Sequence, residues 1–187
     1  MGRGRLKAFG QRVFERLAQR AARMSLVEIP RDRDAAQACL RDAIAAYERG
    51  DRIGAEAQVR MALEHDLGES DAHLFLARLL SARGALDESG RCFALAARYA
   101  QAPAPILGEG GRLLAAKGQE DAALRLLRQC LEADPHDAEA ACLVGELELP
   151  RDVTRAAAMF RHALSVRSDY PRAEAGLAKI QSCSRPE

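Results

Sequence analysis

From residue 36 onward the apolar side chains follow the three-and-four spacing of a helix and never the alternation of a strand. Cys39, Leu40, Ala43, Ile44 and Tyr47 share one face; a turn follows at Arg49-Gly50-Asp51, and Ala55, Val59, Ala62 and Leu63 mark a second helix. The pattern then returns with Leu76, Ala77 and Leu80, a turn at Gly84, and Ser89, Phe93 and Ala96. A third copy carries Gly110, Gly111 and Leu114, a turn at Gly118, and Ala123, Leu127 and Cys130. Small residues therefore recur every 34 positions at Ala43, Ala77, Gly111 and Gly145, in step with Gly50, Gly84 and Gly118. A fixed period of this kind predicts helical hairpins stacked in one direction, their backbones approaching closely at the small side chains.

The period divides the chain into units 36–69, 70–103, 104–137 and 138–170, then a closing helix over 171–182 and a tail at 183–187. Asp71 falls where a helix start favours negative charge, and Pro105 falls in a first helical turn, where a missing N–H costs nothing. In the fourth unit Pro150 replaces the turn glycine, and Ala156, Phe160, Ala163 and Leu164 each arrive one residue early. One deletion in the turn explains all four, and Ala178, 33 residues after Gly145, inherits the shift. Arg172, Glu174, Lys179 and Gln181 suit the solvated end that such a stack requires.

Over residues 36–182 this pattern resembles the tetratricopeptide repeat: a small residue at the eighth position, glycine at the turn, alanine early in the second helix, and the closing phrase Leu131-Glu132-Ala133-Asp134-Pro135. It departs at the fourth position, where Cys39, His73, Leu107 and Ala141 replace the usual aromatic, and at Asp42, where leucine is usual. The resemblance implies an all-α, right-handed solenoid of about four hairpins plus the closing helix. It also implies that the first helix of each hairpin lines a concave groove, into which the ninth positions Ile44, Arg78, Arg112, Glu146 and Lys179 point. Leu40, Tyr47, Leu74, Glu109, Cys142 and Leu149 are the neighbouring inner residues. A protein or peptide segment is the partner such a groove implies. Arg78 and Arg112 then either take a carboxylate or phosphate on that segment, or else simply solvate an exposed face or pair with Glu109 and Glu146. Gly108, Ala115 and Ala116 either leave room for a peptide or permit tight packing. Members that grip the C-terminus of heat-shock chaperones use Lys, Asn and Arg where this chain has Leu40, Ile44, Phe75, Pro105 and Glu109, so that clamp is absent.

Composition agrees with an all-helical chain: 38 of 187 residues are Ala, against five Phe, three Tyr and no Trp. Of 28 basic residues 25 are Arg, a bias expected of a GC-rich, bacterial genome. Charge is uneven, because residues 1–24 hold seven Arg or Lys against Glu15, leaving a net −5 on the rest of a chain whose total is +1. The five cysteines form no C-x-x-C pair, which points away from a disulfide framework or zinc site and toward a reducing, cytoplasmic setting. No run of eighteen apolar residues suits a membrane span.

Residues 1–24 are read as a basic arm with an amphipathic helix over 6–24, and residues 25–35 as a hinge. The apolar face of the arm is Leu6, Phe9, Val13, Leu17 and Met24, flanked by Arg5, Arg12, Arg16 and Arg23. Three uses compete: capping the first repeat over Leu40, Ile44 or Tyr47; docking on an anionic membrane surface; or joining a second copy or a partner, a homodimer being one result. Met1-Gly2 lacks the Ser or Thr of a myristoylation signal, and a transit peptide would carry serines before Ser25. Nucleic acid is disfavoured, since the repeats are net acidic and poor in aromatic stacking platforms.

No catalytic constellation emerges. Gly108-Glu109-Gly110-Gly111 follows no strand and precedes no Lys-Ser or Lys-Thr, so it is not a phosphate loop. His65, His73 and His136 lack ligand spacing, and Cys92 and Cys130 fall at packing positions. The expectation is a non-enzymatic adaptor or chaperone with no cofactor or metal, or alternatively a membrane-peripheral assembly factor recruited through its arm.

Overall fold

A computed structural model describes residues 31–183, the last of them by backbone alone. The described residues form helices and turns without a strand: α1 (Arg33–Glu48), α2 (Arg52–His65), α3 (Ser70–Arg83), α4 (Leu86–Tyr99), α5 (Pro103–Ala116), α6 (Glu120–Ala133), α7 (Ala138–Glu148), α8 (Val153–Val166) and α9 (Pro171–Cys183). Each odd-numbered helix (an A helix) packs on the B helix that follows it, each hairpin packs on the next, and α9 closes the row on α8. The expected arm, with Leu6, Phe9, Val13, Leu17 and Met24, lies outside the described residues.

Local chemistry explains the helix boundaries. Asp32, Asp51, Asp137 and Asp152 each accept a hydrogen bond at 2.8–3.0 Å from the backbone N–H three residues ahead, filling one of the unpaired donors of a helix start. The Asp32 cap starts α1 at Arg33, so the first helix begins inside the stretch expected as hinge and three residues ahead of the expected unit. At the A-to-B turns Gly50, Gly84 and Gly118 take φ of 83°, 83° and 76°, a left-handed conformation that costs glycine nothing. The residue after each then donates to the carbonyl five back, Asp51 to Ala46, Ala85 to Leu80 and Gln119 to Leu114, all at 2.9 Å. The fourth turn closes differently: Arg151 and Asp152 N–H both donate to the Glu148 carbonyl at 2.8 Å, and α7 has 11 residues where α3 and α5 have 14.

Packing depends on small residues. Ala43 and Ala77 are wholly buried, and a Cβ on Gly111 or Gly145 would come within 2.6 Å of Leu127 or 2.8 Å of Phe160. The two largest buried side chains, Phe93 and Phe160, lie on glycines of the next A helix: a Cβ on Gly110 would meet Phe93 at 2.6 Å, and one on Gly176 would meet Phe160 at 2.5 Å. Ser89, where the other repeats carry Ala55, Ala123 and Ala156, is fully buried and donates to the Ala77 carbonyl at 2.8 Å, so its hydroxyl is satisfied.

His73, at the position where an aromatic is usual, is buried and stacks on Tyr99 with ring centroids 5.8 Å apart. Its Nε2 lies 2.9 Å from the Leu67 carbonyl, while Nδ1 is buried without a hydrogen-bond partner. Burial pushes its pKa below the usual 6.5, against smaller upward pulls from the Leu67 hydrogen bond and the Asp66 charge.

Two consequences follow from this core. Gly145→Leu should overpack the α7–α8 contact and lower unfolding free energy by about 3 kcal/mol or more, read from urea titration of helicity. Because His73 is held neutral when folded and protonates more readily when unfolded, its contribution is complete above pH 6.5 and is lost as pH falls below that value. His73→Phe keeps the ring on Tyr99 and removes the titration. Its melting temperature should therefore decline less than the parent's between pH 7.5 and 5.5; parallel decline of the two would refute this assignment.

Candidate binding groove

The A helices meet along one side of the stack, and side chains from successive A helices touch there. At the first-repeat end the contact is apolar. Ile44 and Tyr47 project from α1 with 40% and 43% of their surface exposed, and the Tyr47 ring meets Phe75 of α3 edge-on at 5.9 Å. Leu40 and Leu74 are half-buried beside them.

Further along, the contacts are ionic. Arg78 of α3 makes a two-pronged pair with Glu109 of α5, Nε to Oε1 at 2.6 Å and Nη2 to Oε2 at 2.7 Å. Arg112 of α5 reaches Glu139 of α7 by a single contact of 3.4 Å. Glu146 of α7 is held by Arg172 of α9 through two hydrogen bonds of 2.6 Å. The hydrogen bond from Arg78 holds the Glu109 carboxyl below its usual range against the opposing effect of burial, and the same bond raises Arg78. Each pair is substantially exposed, so each stabilises the fold by about 1 kcal/mol at most.

This arrangement partitions the inner residues expected from sequence. Ile44 and Tyr47 are open to solvent, Leu40 and Leu74 partly so, and Lys179 is exposed on α9. Arg78 and Glu109 hold each other, as one of the two readings had it. For Arg112 and Glu146 that reading is corrected: Arg112 takes Glu139, and Glu146 is taken by Arg172, one repeat further on in the same register with the charges exchanged. Cys142 is also corrected. It is wholly buried in the cluster with Phe160, beneath the half-buried Tyr170, because α9 folds over the equivalent of the position that Leu40 and Leu74 leave half open. The space above Gly108 is filled by Arg112, whose Nη1 would lie 3.2 Å from an added Cβ.

Sequence reasoning missed one ion pair with a buried carboxylate and a half-exposed arginine at the edge of the stack. Glu148, near the end of α7, has a side chain only 5% exposed and is met by Arg128 of α6. Arg151 similarly reaches back to Asp121 at 2.6 Å and Glu120 at 3.1 Å on α6. No spacing rule links these partners, which are 20 to 31 residues apart in sequence and adjacent only through the stacking of hairpins.

The three buried thiols are not poised for chemistry. Burial raises Cys92 and Cys130 to about 12 and raises Cys142 as well. Among the described residues no three His, Cys, Asp or Glu side chains are grouped to hold a metal, and no helix is long and apolar enough to cross a membrane.

Solved structures share this architecture at low sequence identity. A crystal structure of MamA matches with a TM-score of 0.64 at 14% identity, covering 80% of this chain and 82% of that one. YrrB, described as a tetratricopeptide-repeat protein with an unusual peptide-binding site, matches at 0.61 and 18% identity, covering 81% and 79%. The fold is that of the tetratricopeptide repeat. The pilF protein of Pseudomonas aeruginosa shares it at a TM-score of 0.56 and 20% identity, over 81% of this chain and 70% of that one. No protein-family model matches the sequence, and a search of curated proteins finds no match. The apolar end and the ion-pair run lie together on the A-helix face.

The two kinds of ion pair should separate in a stability measurement. Glu109→Gln should shift unfolding free energy by less than about 1 kcal/mol. Arg128→Ala leaves the Glu148 carboxylate buried without its cation and should cost about 2 kcal/mol; equal effects in urea unfolding would contradict this division.

Proposed function

We propose that the protein is a non-enzymatic scaffold, an adaptor or chaperone, that holds a segment of another polypeptide in the groove lined by its A helices. The observation that carries this reading is the exposed pair Ile44 and Tyr47 at the head of a face otherwise closed by exposed ion pairs. Exposed aromatic and aliphatic side chains grouped on one surface favour an apolar anchor, and Tyr is enriched where binding energy concentrates. Arg112, held by one long contact, is the inner guanidinium most easily turned toward a carboxylate on the ligand. The likeness to a peptide-binding repeat protein supports the same class of ligand.

An extended segment placing an apolar residue near Tyr47 and an acidic one near Arg112 fits both ends. Peptides selected from a random library on the immobilised full chain provide the test. Arg112→Glu should weaken the selected peptides about ten-fold, equivalent to about 1.4 kcal/mol, and Tyr47→Ala should weaken them comparably. Arg125→Glu on the B-helix side should leave affinity unchanged. Peptides insensitive to both inner substitutions would place binding off this groove.

A further inference from the structure

The exposed apolar end of the A-helix face has a candidate occupant in the same chain. We infer that residues 6–24 dock as an antiparallel helix along α1, with Phe9, Val13 and Leu17 over Tyr47, Ile44 and Leu40. This inference needs no external partner; it shares the Ile44 and Tyr47 surface with the proposed function, and its test reads the arm alone.

Four observations lead to it. First, the chain enters α1 directly from this segment, and the Asp32 N–H is fixed on the His65 carbonyl at 3.2 Å, at the end of the stack where α1 begins. Residues 25–31 can span about 23 Å when extended, enough to turn back across a helix roughly 10 Å wide.

Second, the lengths agree. Nineteen residues as a helix reach about 28 Å, and the 16 residues of α1 about 24 Å. An antiparallel register that sets Leu17 beside Leu40 also sets Val13 beside Ile44 and brings Phe9 to Tyr47, because both apolar rows advance by about one turn per residue. The same register brings Arg23 to Asp34 in the first turn of α1.

Third, the other open side of α1 is unsuited to a helix. That end face holds a cleft of about 250 Å³ bordered by Asp42, Arg49, Asp51 and Gln58. The equivalents of Asp42 in later repeats, Leu76, Gly110 and Val144, are buried under the preceding hairpin. An apolar stripe laid there would face Asp42, Arg49 and Asp51 in place of Leu40, Ile44 and Tyr47.

Fourth, charge favours the arm over a neutral helix. It brings seven basic residues and one acidic residue to a remainder of net −5.

The absence of tryptophan makes the test direct. Phe9→Trp in the full chain introduces a single indole. Its emission should be shifted to the blue of the urea-unfolded chain, independently of protein concentration, and should return to the red when Ile44→Asp and Tyr47→Asp are added. Circular dichroism checks that the repeats stay helical; should they not, Val13→Cys with Ile44→Cys, in a chain carrying Cys39→Ser and Cys183→Ser, reports the contact as an intramolecular disulfide. An indole as exposed as in the unfolded chain, or blue emission unaffected by the two aspartates, overturns the inference. So does blue emission that grows with protein concentration, which places the arm on a second copy, or that requires anionic vesicles, which places it in lipid.

Discussion

Everything in this stack depends on how closely each A helix can approach the B helices on either side of it. The residues at the contact are Ala43, Ala77, Gly111 and Gly145, and a side chain larger than these would occupy space already filled by Leu127 or Phe160. Close-packed interiors transmit such an intrusion rather than absorb it. Between hairpins the same closeness is set by Gly110 and Gly176, which lie under Phe93 and Phe160, and that separation decides which side chains from neighbouring A helices can touch. Arg78 reaches Glu109, and Arg112 reaches Glu139, because one hairpin step matches the reach of an arginine and a carboxylate. The groove surface is thus a consequence of the core.

The fourth repeat shows how a small sequence change propagates. Loss of one residue at the turn removes the left-handed glycine and ends α7 at Glu148. The ion pair to the next A helix keeps the register of Arg112 and Glu139 across this change, with the charges exchanged: glutamate on α7 and arginine on α9. The same change lets α9 close over Cys142 and sets Gly176 against Phe160. A terminal helix that buries the last core and presents Arg172, Glu174 and Lys179 outward meets the need of any one-dimensional stack for a polar end.

Much of the fold was legible because its determinants are local and periodic. Glycine at each turn, alanine or glycine at the close approach and apolar residues at helical spacing fixed the hairpins and the one-residue shift in the fourth. The start of α1 at Arg33 was less legible, since Asp32 lies ahead of the period and acts through a single capping bond. The groove was harder still. Exposure of Ile44 and Tyr47 could be read from position, but Arg112 and Glu146 find their partners on the next A helix, 26 to 27 residues on, where no local spacing rule points. Burial of Cys142 depends on a helix thirty residues further on. His73 is a different case: its deviation from the aromatic pattern was visible, yet its buried, half-satisfied ring required Tyr99 and Leu67 in three dimensions.

The ion pairs on the A-helix face also bear on how a groove can be both closed and available. A pair exposed to solvent contributes about 1 kcal/mol or less, because water already solvates both charges. Exchanging Glu139 for a ligand carboxylate at Arg112 therefore costs little. The core, by contrast, cannot rearrange without expelling Phe93 or Phe160 from the glycines they cover. Mobility is confined to the side chains at the surface, while the spacing of the helices that carry them stays fixed. On the proposed function, such a fixed spacing with exchangeable polar contacts favours ligands by the distance between their apolar and acidic groups more than by any single contact.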